Sequence, residues 1–185
     1  MSRHPHVKLT VEVVGSNTAA DMVAKLQADL GLLFGHSPRG DLIELAFMRQ
    51  PLCLIVARNH PLAKKKACSV SDLSGHRVVV PDSTFGIRQE IDRAAALAKV
   101  NLNVVLESNS IELMRQSVVD GSAAAFLPRH AVFNEIQSRT VVAVPLTERR
   151  LSKTRITLVR SAAQPLTASA QKAVDILRIQ MAEDS

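Results

Sequence analysis

The sequence predicts an α/β protein built on open sheets, and three observations carry that reading. Short apolar runs alternate with amphipathic stretches along nearly the whole chain, the order that generates an open α/β sheet. Apolar residues make up 46% of the chain and aromatics only 3%, with no Trp or Tyr. The core must therefore be assembled from Val, Leu, Ile and Ala, which suits buried parallel strands. At 185 residues the chain can bury roughly 70% of the surface its unfolded form exposes, enough for one or two small lobes without staples.

The elements follow in order. Residues Val7 to Val14 alternate apolar and polar before ending in two valines, the pattern of a strand. Gly15-Ser16-Asn17 turns the chain, and Ser16 or Asn17 is placed to cap a helix over Thr18–Gln27, with Met22, Val23 and Leu26 on one face. Leu30 to Phe34 is a short apolar run bounded by Gly35. Together these predict a strand–helix–strand unit with parallel pairing. A turn over His36–Gly40 leads to extended runs at Leu42–Phe47 and Leu52–Ala57, separated by Arg49-Gln50-Pro51. Pro61 and the lysines after it mark a loop, Ser71 and Asp72 suit a short helical turn before Gly75, and Val78-Val79-Val80 is a strand stopped by Pro81.

The pattern then repeats. A helix is predicted to about Ala98 with Ile87, Ile91, Ala94, Ala95 and Ala98 along one side, followed by a strand at Leu102–Leu106. Asn109 with Glu112 three residues later forms a capping box for a helix to Val119, and Gly121 is its stop. Ala123–Leu127 is a small apolar strand ended by Pro128, and a helix runs from about His130 to Gln137. Val141–Leu146 and Ile156–Val159 are strands. The tail Thr167–Met181 is an amphipathic helix with Ala170, Val174, Leu177 and Met181 in register.

Charge and reactive residues exclude several classes. The net charge of +6 comes from 23 basic and 17 acidic residues. It is scattered, and its only clusters are Lys64-Lys65-Lys66 and Arg149-Arg150 with Lys153 and Arg155, which read as solvated faces. No aromatics interleave with them to stack nucleic-acid bases. Cys53 and Cys68 give neither a disulfide framework nor metal spacing and read as ordinary buried or half-buried thiols. Of the six histidines, His4 and His6 lie on the terminus and His36, His60, His76 and His130 are scattered, so a metal site is not expected. No cofactor motif and no nucleophile or phosphate-loop motif occurs. No window reaches the ~18 apolar residues of a membrane span, and the N-terminus lacks the apolar stretch of a secretory signal. A soluble, cytoplasmic protein without catalytic activity is the expectation.

A series of short words adds a resemblance. They are His60-Pro61-Leu62-Ala63, Val70-Ser71-Asp72-Leu73-Ser74-Gly75, Val78-Val79-Val80-Pro81, Glu107-Ser108-Asn109-Ser110, Asp120-Gly121 and Phe126-Leu127-Pro128. Taken in this order and at these separations, they resemble the effector-binding domain of LysR-type transcriptional regulators, from Pro5 to the final helix. The resemblance implies a two-lobed, type 2 periplasmic-binding-protein-like α/β fold. One lobe would be residues 1–44 plus about 146–185, and the other about 45–145. It also implies a small organic effector, often a carboxylate, held in an interlobe cleft, a homodimer or higher oligomer, and a turn role for His60. In the family, a DNA-binding winged helix-turn-helix and the domain's own first strand and helix precede a segment like Pro5–Val14. Their absence here implies a truncated regulator that would touch DNA only through a missing N-terminal domain. The incomplete first lobe is expected to show a swapped strand, a tight oligomer or a rearrangement, because unpaired strand neighbours leave backbone groups unsatisfied.

The candidate effector residues sit at strand-to-helix corners. Ser83, Thr84 and Phe85 offer backbone N–H groups and two hydroxyls to a carboxylate; the alternative is that Ser83 or Thr84 caps the helix. Asn109 and Ser110 occupy a second corner, Asn109 as a cap and Ser110 as a cleft contact. Phe126 either walls the pocket or fills the core, and Gly15 and Ser16 are weaker candidates from the other lobe. The rival functions are a stand-alone solute-binding protein of the same fold, an enzyme built on it, and an inactive truncated gene product.

Overall fold

The computed structural model describes residues 7–35 and 39–183; the expectations for His4, His6 and His36 lie outside them. The elements are α1 (Ser16–Ala24), β1 (Gly31–Phe34), β2 (Leu42–Arg49), β3 (Leu52–Ala57), β4 (Arg77–Pro81), α2 (Gly86–Ala98), β5 (Asn103–Ser108) and α3 (Ile111–Val119). β6 (Ala124–Pro128), α4 (Phe133–Gln137), β7 (Val141–Pro145), α5 (Arg149–Ser152), β8 (Arg155–Ser161) and α6 (Ala168–Glu183) complete the series. The chain divides into two compact units, Met1–Met48 with Ile156–Ser185, and Arg49–Arg155. Sequence placed the breaks after residue 44 and before residue 146. In the structure the stretch from Leu146 to Arg155, including α5, belongs with the second unit.

The first unit is a three-stranded sheet in the order β1-β8-β2. β1 and β8 run antiparallel from Gly31 opposite Val159 to Phe34 opposite Ile156. α1 buries Ala20 and Val23 against Leu33, Leu42 and Val159. The approach is close: a Cβ at Gly31 would stand 3.0 Å from a Val23 methyl and 3.3 Å from a Val159 methyl. A second cluster gathers Leu158, Val174 and Met181 with Leu45, Met48 and Leu177, so α6 supplies its predicted apolar stripe. The Arg178 guanidinium ties α6 to β2 by donating to the Leu45 carbonyl oxygen at 2.7 and 3.2 Å.

Two expectations for this unit fail. Residues Val7 to Val14 form no strand. Among the described residues no neighbouring strand offers them a ladder, and alternation alone cannot supply one. The predicted parallel strand–helix–strand unit is therefore absent. The first helix also starts earlier and ends sooner than Thr18–Gln27. Leu26, expected on its buried face, takes φ +60° and is 47% exposed, which ends the helix. Ser16 does not cap it; its hydroxyl oxygen instead accepts from the Phe34 N–H at 3.0 Å.

The second unit is a five-stranded sheet in the order β5-β4-β6-β3-β7. β4 runs parallel to β5 and β6, whereas β3 runs antiparallel to β6 and β7. The sheet is thus mixed, and only its β5-β4-β6 part has the parallel pairing that composition suggested. Val78, Val79 and Val80 are all at most 1% exposed, as expected of a strand covered on both faces. One face packs Ile55, Val79, Ala125 and Leu127 on Met114 and Val118 of α3. α2 buries Ile87, Ile91, Ala94 and Ala95. Each fully buried Val, Leu or Ile contributes roughly 1.5–3 kcal/mol, and this sheet's core is mainly aliphatic, with Phe126 its one large buried aromatic among the described residues. 3-10 turns at Pro61–Lys64 and Val70–Leu73 occupy the predicted loop and turn.

Candidate effector-binding edge

β4, β5 and β6 are parallel, so their C-terminal ends lie along one edge of the second sheet. The Pro81–Ser108 and Leu52–Pro128 pairings fix this alignment and bring the N-terminal end of antiparallel β3 to the same edge. Four adjacent strand ends spaced about 4.8 Å apart make a row roughly 15 Å long. It presents residues 82–85 after β4, 108–110 at β5, 128–130 after β6, and Gln50 before β3.

The first turn is held by Asp82. Its N–H donates to the Ser108 carbonyl oxygen at 3.1 Å, locking the ends of β4 and β5 together. Its carboxylate accepts from the Thr84 N–H at 2.9 Å and the Thr84 hydroxyl at 2.5 Å, and its carbonyl accepts from the Phe85 N–H at 3.2 Å. Two N–H groups that sequence offered to an anion are thus already engaged. Neither Ser83 nor Thr84 caps α2: the capping residue is Phe85, without a side-chain bond. Ser83 is exposed and makes no hydrogen bond among the described residues.

Arg88 fastens this corner from below. Its guanidinium, 15% exposed, donates to the Pro81 carbonyl at 3.0 Å, to Glu107 at 2.9 Å and to Asp92 at 2.9 Å. The bond from Arg88 holds the Glu107 carboxyl below its ordinary range, and the bond to Glu107 holds the guanidinium above its own.

At the second corner the cap is Ser110, not Asn109. Its hydroxyl oxygen accepts from the Leu113 N–H at 3.2 Å, and the Ser108 hydroxyl accepts from the Ser110 N–H at 3.0 Å. The predicted Asn109–Glu112 box does not form, because Glu112 turns to Arg115. The Asn109 side chain is exposed and makes no hydrogen bond among the described residues.

Beyond β6, a 3-10 turn at Arg129–Val132 leads into α4, dividing the single helix predicted there. Arg129 is exposed, without a hydrogen bond or ion pair among the described residues. The His130 ring meets the Gln50 amide at 3.3 Å, and Thr154 fixes Gln50 by accepting from its N–H at 2.8 Å and donating its hydroxyl to the Gln50 carbonyl. Sequence reasoning missed Gln50, Arg129 and His130. Their one signal is position, beside the Pro51 and Pro128 that bound two strands.

The remaining candidates lie elsewhere. Phe126 is 1% exposed within β6, so its ring fills the core and lines no open surface. Gly15 and Ser16 belong to the first unit, with Gly15 buried and the Ser16 oxygen engaged by Phe34. A surface hollow of about 390 Å³ also opens in that unit, lined by Glu44, Leu45, Ala46, Phe47, Arg178 and Met181. It gathers none of the predicted residues, and its arginine is committed to Leu45.

In open α/β sheets, polar turns at the C-terminal ends of parallel strands, beside helix N-termini, are where small ligands commonly bind. The chain belongs to the LysR substrate binding domain family, whose family model matches residues 1–182. It is 25% identical over 138 residues to the HTH-type transcriptional regulator CysL of Bacillus subtilis, covering 75% of this chain and 46% of that protein. It is 28% identical over 159 residues to a probable RuBisCO transcriptional regulator of Thalassiosira pseudonana, covering 82% and 52%. The chain thus spans about half the length of the curated relatives it matches. The regulatory domain of Synechocystis PCC6803 CcmR, solved with 2-PG, superposes with a TM-score of 0.84 at 21% identity, over 97% of this chain and 86% of that one. The effector binding domain of QuiR, solved with shikimate, gives a TM-score of 0.73 at 18% identity over 91% and 78%. The fold is that of LysR regulatory domains, a family of transcription regulators and not of enzymes. Among the described residues no helix is long and apolar enough to cross a membrane.

Proposed function

We propose that this chain is the effector-sensing part of a cytoplasmic transcription regulator, and that it takes a small organic anion at the β5-β4-β6-β3 edge of the second unit. The observation that carries the reading is the charge and hydrogen-bonding balance of that edge. The N-termini of α2 and α3 both open there, and each presents partial positive charge and free N–H groups. Arg129 adds a full cation without a carboxylate partner, and Ser83 and Asn109 add uncommitted polar groups. Of the carboxylates nearby, Glu107 is ion-paired with Arg88, and Asp82 remains charged but is turned onto the Thr84 N–H and hydroxyl. An anion here meets the Arg129 cation and the helix N–H donors, with the Asp82 carboxylate as the one opposing charge it must avoid among the described residues.

The domains solved with 2-PG and with shikimate suggest the size and acidity of probes to try. In this reading, occupancy shifts the sensing domain between states, and a DNA-binding segment of the full-length regulator, working as a homodimer, reports the shift. The test is calorimetric titration of the chain with 2-phosphoglycolate, shikimate and a panel of two- to seven-carbon mono- and dicarboxylates. A saturable heat with one of them, weakened at least tenfold by Arg129→Gln, supports the site. Binding that is indifferent to Arg129→Gln, or no binding across the panel, refutes it.

A further inference from the structure

We propose that the second sheet carries a phosphate-backbone contact on the edge opposite the candidate effector site, where Arg58, Arg77, Lys99 and Arg139 form a row that lies along duplex DNA without reading its sequence. The proposal goes beyond the effector reading and does not depend on it. It gives the sensing domain a weak DNA contact of its own, in addition to whatever a DNA-binding segment of the regulator makes.

The row is set by topology. β4, β5 and β6 run parallel and β3 runs against β6 and β7, so the C-terminal end of β3 meets the N-terminal ends of the other four strands. Arg77 opens β4 opposite Asn103. Arg58 follows β3, and its N–H donates to the Thr140 carbonyl at 3.0 Å, which sets it beside Arg139 at the approach to β7. Lys99 ends α2 on the way into β5. Five strand ends about 4.8 Å apart make an edge about 19 Å long. Over that length duplex DNA carries about eleven phosphate charges. All four side chains are exposed, and none makes a hydrogen bond or ion pair among the described residues. The acid in the turns of this edge is Asp120, which accepts from the Gln116 amide at 2.8 Å.

Two observations set the row apart from an ordinary solvated face. Lys99 and Arg139 both hold left-handed backbone, at φ +54° and +58°, where a side chain is strained and glycine is not. A cation favours a helix C-terminus from anywhere in the last turn, so the helix dipole does not require it at the left-handed position itself. Charge is kept at two places where glycine would end the helix more easily. The rest of the edge is small and polar, with Asn59, Asn101, Ser122 and Thr140 exposed. None of the large exposed apolar side chains falls within residues 58–60, 76–77, 99–103, 120–123 or 138–140. A protein partner anchors on aromatic or aliphatic side chains in a desolvated centre. Phosphates are met instead by Arg and Lys with Asn, Ser and Thr beside them, in an interface that is polar and wet. No Phe stands in these turns and the chain has no Trp or Tyr, so nothing stacks the bases of a single strand, and a duplex is the occupant that fits.

The test is fluorescence anisotropy of the full chain with two labelled duplexes of about 30 base pairs and unrelated sequence, from 20 to 200 mM salt. Both duplexes are expected to bind alike, with a log–log salt slope of about −3.6, since each of four cations contributes about −0.9. Arg58→Gln with Arg139→Gln brings the slope to about −1.8 and weakens binding at 50 mM salt on the order of a hundredfold. Lys66→Gln with Arg149→Gln removes as much charge from exposed positions elsewhere and changes affinity by less than about threefold. Lys99→Gly keeps or raises the urea midpoint, because it relieves the backbone, and still weakens binding about tenfold. That split separates the contact from the fold. No saturable binding at 20 mM salt and 200 μM chain overturns the inference. So does a loss in the Lys66 and Arg149 variant equal to that in the Arg58 and Arg139 variant, which would make net charge the whole effect. A ten-residue glutamate peptide that binds more tightly than either duplex, and is lost with Arg58 and Arg139, would assign the row to an acidic protein partner and also overturn it.

Discussion

Arg88→Met separates what holds the candidate edge together from what binds there. The substitution keeps the aliphatic stem, which covers apolar surface, and removes three donors. Two of these meet carboxylates that are themselves half-exposed, Glu107 at 48% and Asp92 at 56%, so each ion pair is worth only about 0.2–1 kcal/mol. The third bond runs from a mostly buried guanidinium to the carbonyl of buried Pro81. A bond of that charge-assisted kind contributes about 1.5–3 kcal/mol. The sum places the loss near ~2–5 kcal/mol, with the carbonyl bond as its larger part. Urea denaturation followed by circular dichroism reads the loss as a lower midpoint at unchanged slope. Two controls sharpen it. Salt at 1 M screens the ion pairs and lowers the wild type by less than half of the mutational loss. Arg88→Lys keeps the charge but cannot reach all three acceptors at once, and falls between wild type and Met. A Met variant within 0.5 kcal/mol of wild type, or a Lys variant equal to it, refutes the claim that the Pro81 carbonyl bond organises this corner.

Two further predictions follow from packing and from protonation. Gly31→Ala would stabilise an open strand by up to about 1 kcal/mol, but here its Cβ meets Val23 and Val159 methyls at 3.0 and 3.3 Å; overpacking of that kind costs about 1–3 kcal/mol, so the variant has a lower urea midpoint, and pairing it with Val23→Ala makes the two costs less than additive. Acid stability carries two signs to check. Asp72 is held down to about 2 by its bond from Lys65 and by the Ser69 N–H, so its contribution is present above pH ~4 and lost as pH falls toward 2. His60 is held below its ordinary value by burial and by His76, and its Nδ1 accepts from the Leu62 N–H. The folded state therefore favours neutral His60, and stability falls as pH drops below ~6.5. Urea midpoints from pH 7.5 to 3 show both steps, and His60→Asn removes the upper one.

The legible part of the fold was the part in which local pattern and burial agree. Ile87, Ile91, Ala94 and Ala95 of α2 are buried as their spacing predicts, and Gly121, at φ +72°, stops α3. The resemblance named the fold that the comparisons show. Sequence failed where the answer depends on which group is nearby in space. Alternation in Val7 to Val14 says nothing of whether a ladder exists to join, and the direction of β3 is set by its neighbours β6 and β7. The caps were misplaced by one or two residues for a similar reason. At Thr84 the carboxylate of Asp82, two residues back, outcompetes the helix terminus for the hydroxyl, and Ser110 sits one residue closer than Asn109 to the N–H that needs an acceptor. Gln50, Arg129 and His130 carry no motif at all; only the β3–β6 pairing brings them to the edge where β4 and β5 end.

The same hydrogen bonds divide the candidate residues into two sets with opposite behaviour. Thr84 and Ser110 are spent on architecture, one closing the Asp82 turn and the other capping α3. Loss of a serine cap costs about 1 kcal/mol, so Ser110→Ala lowers stability, and it weakens an effector only through the disturbed helix start. Ser83 and Asn109 have no such duty. Ser83→Ala and Asn109→Ala therefore leave the urea midpoint within ~0.5 kcal/mol of wild type, as surface substitutions do. If each donates one bond to a bound anion, each also lowers affinity by about tenfold, the equivalent of ~1.4 kcal/mol. Thermal denaturation with and without the best ligand from the panel measures both quantities on one sample, since a ligand raises the midpoint in proportion to its binding free energy. Reversal of the pattern, with Ser83→Ala and Asn109→Ala destabilising the free protein while the ligand-induced shift is unchanged, would mean that these side chains serve the fold and that the effector contacts lie elsewhere.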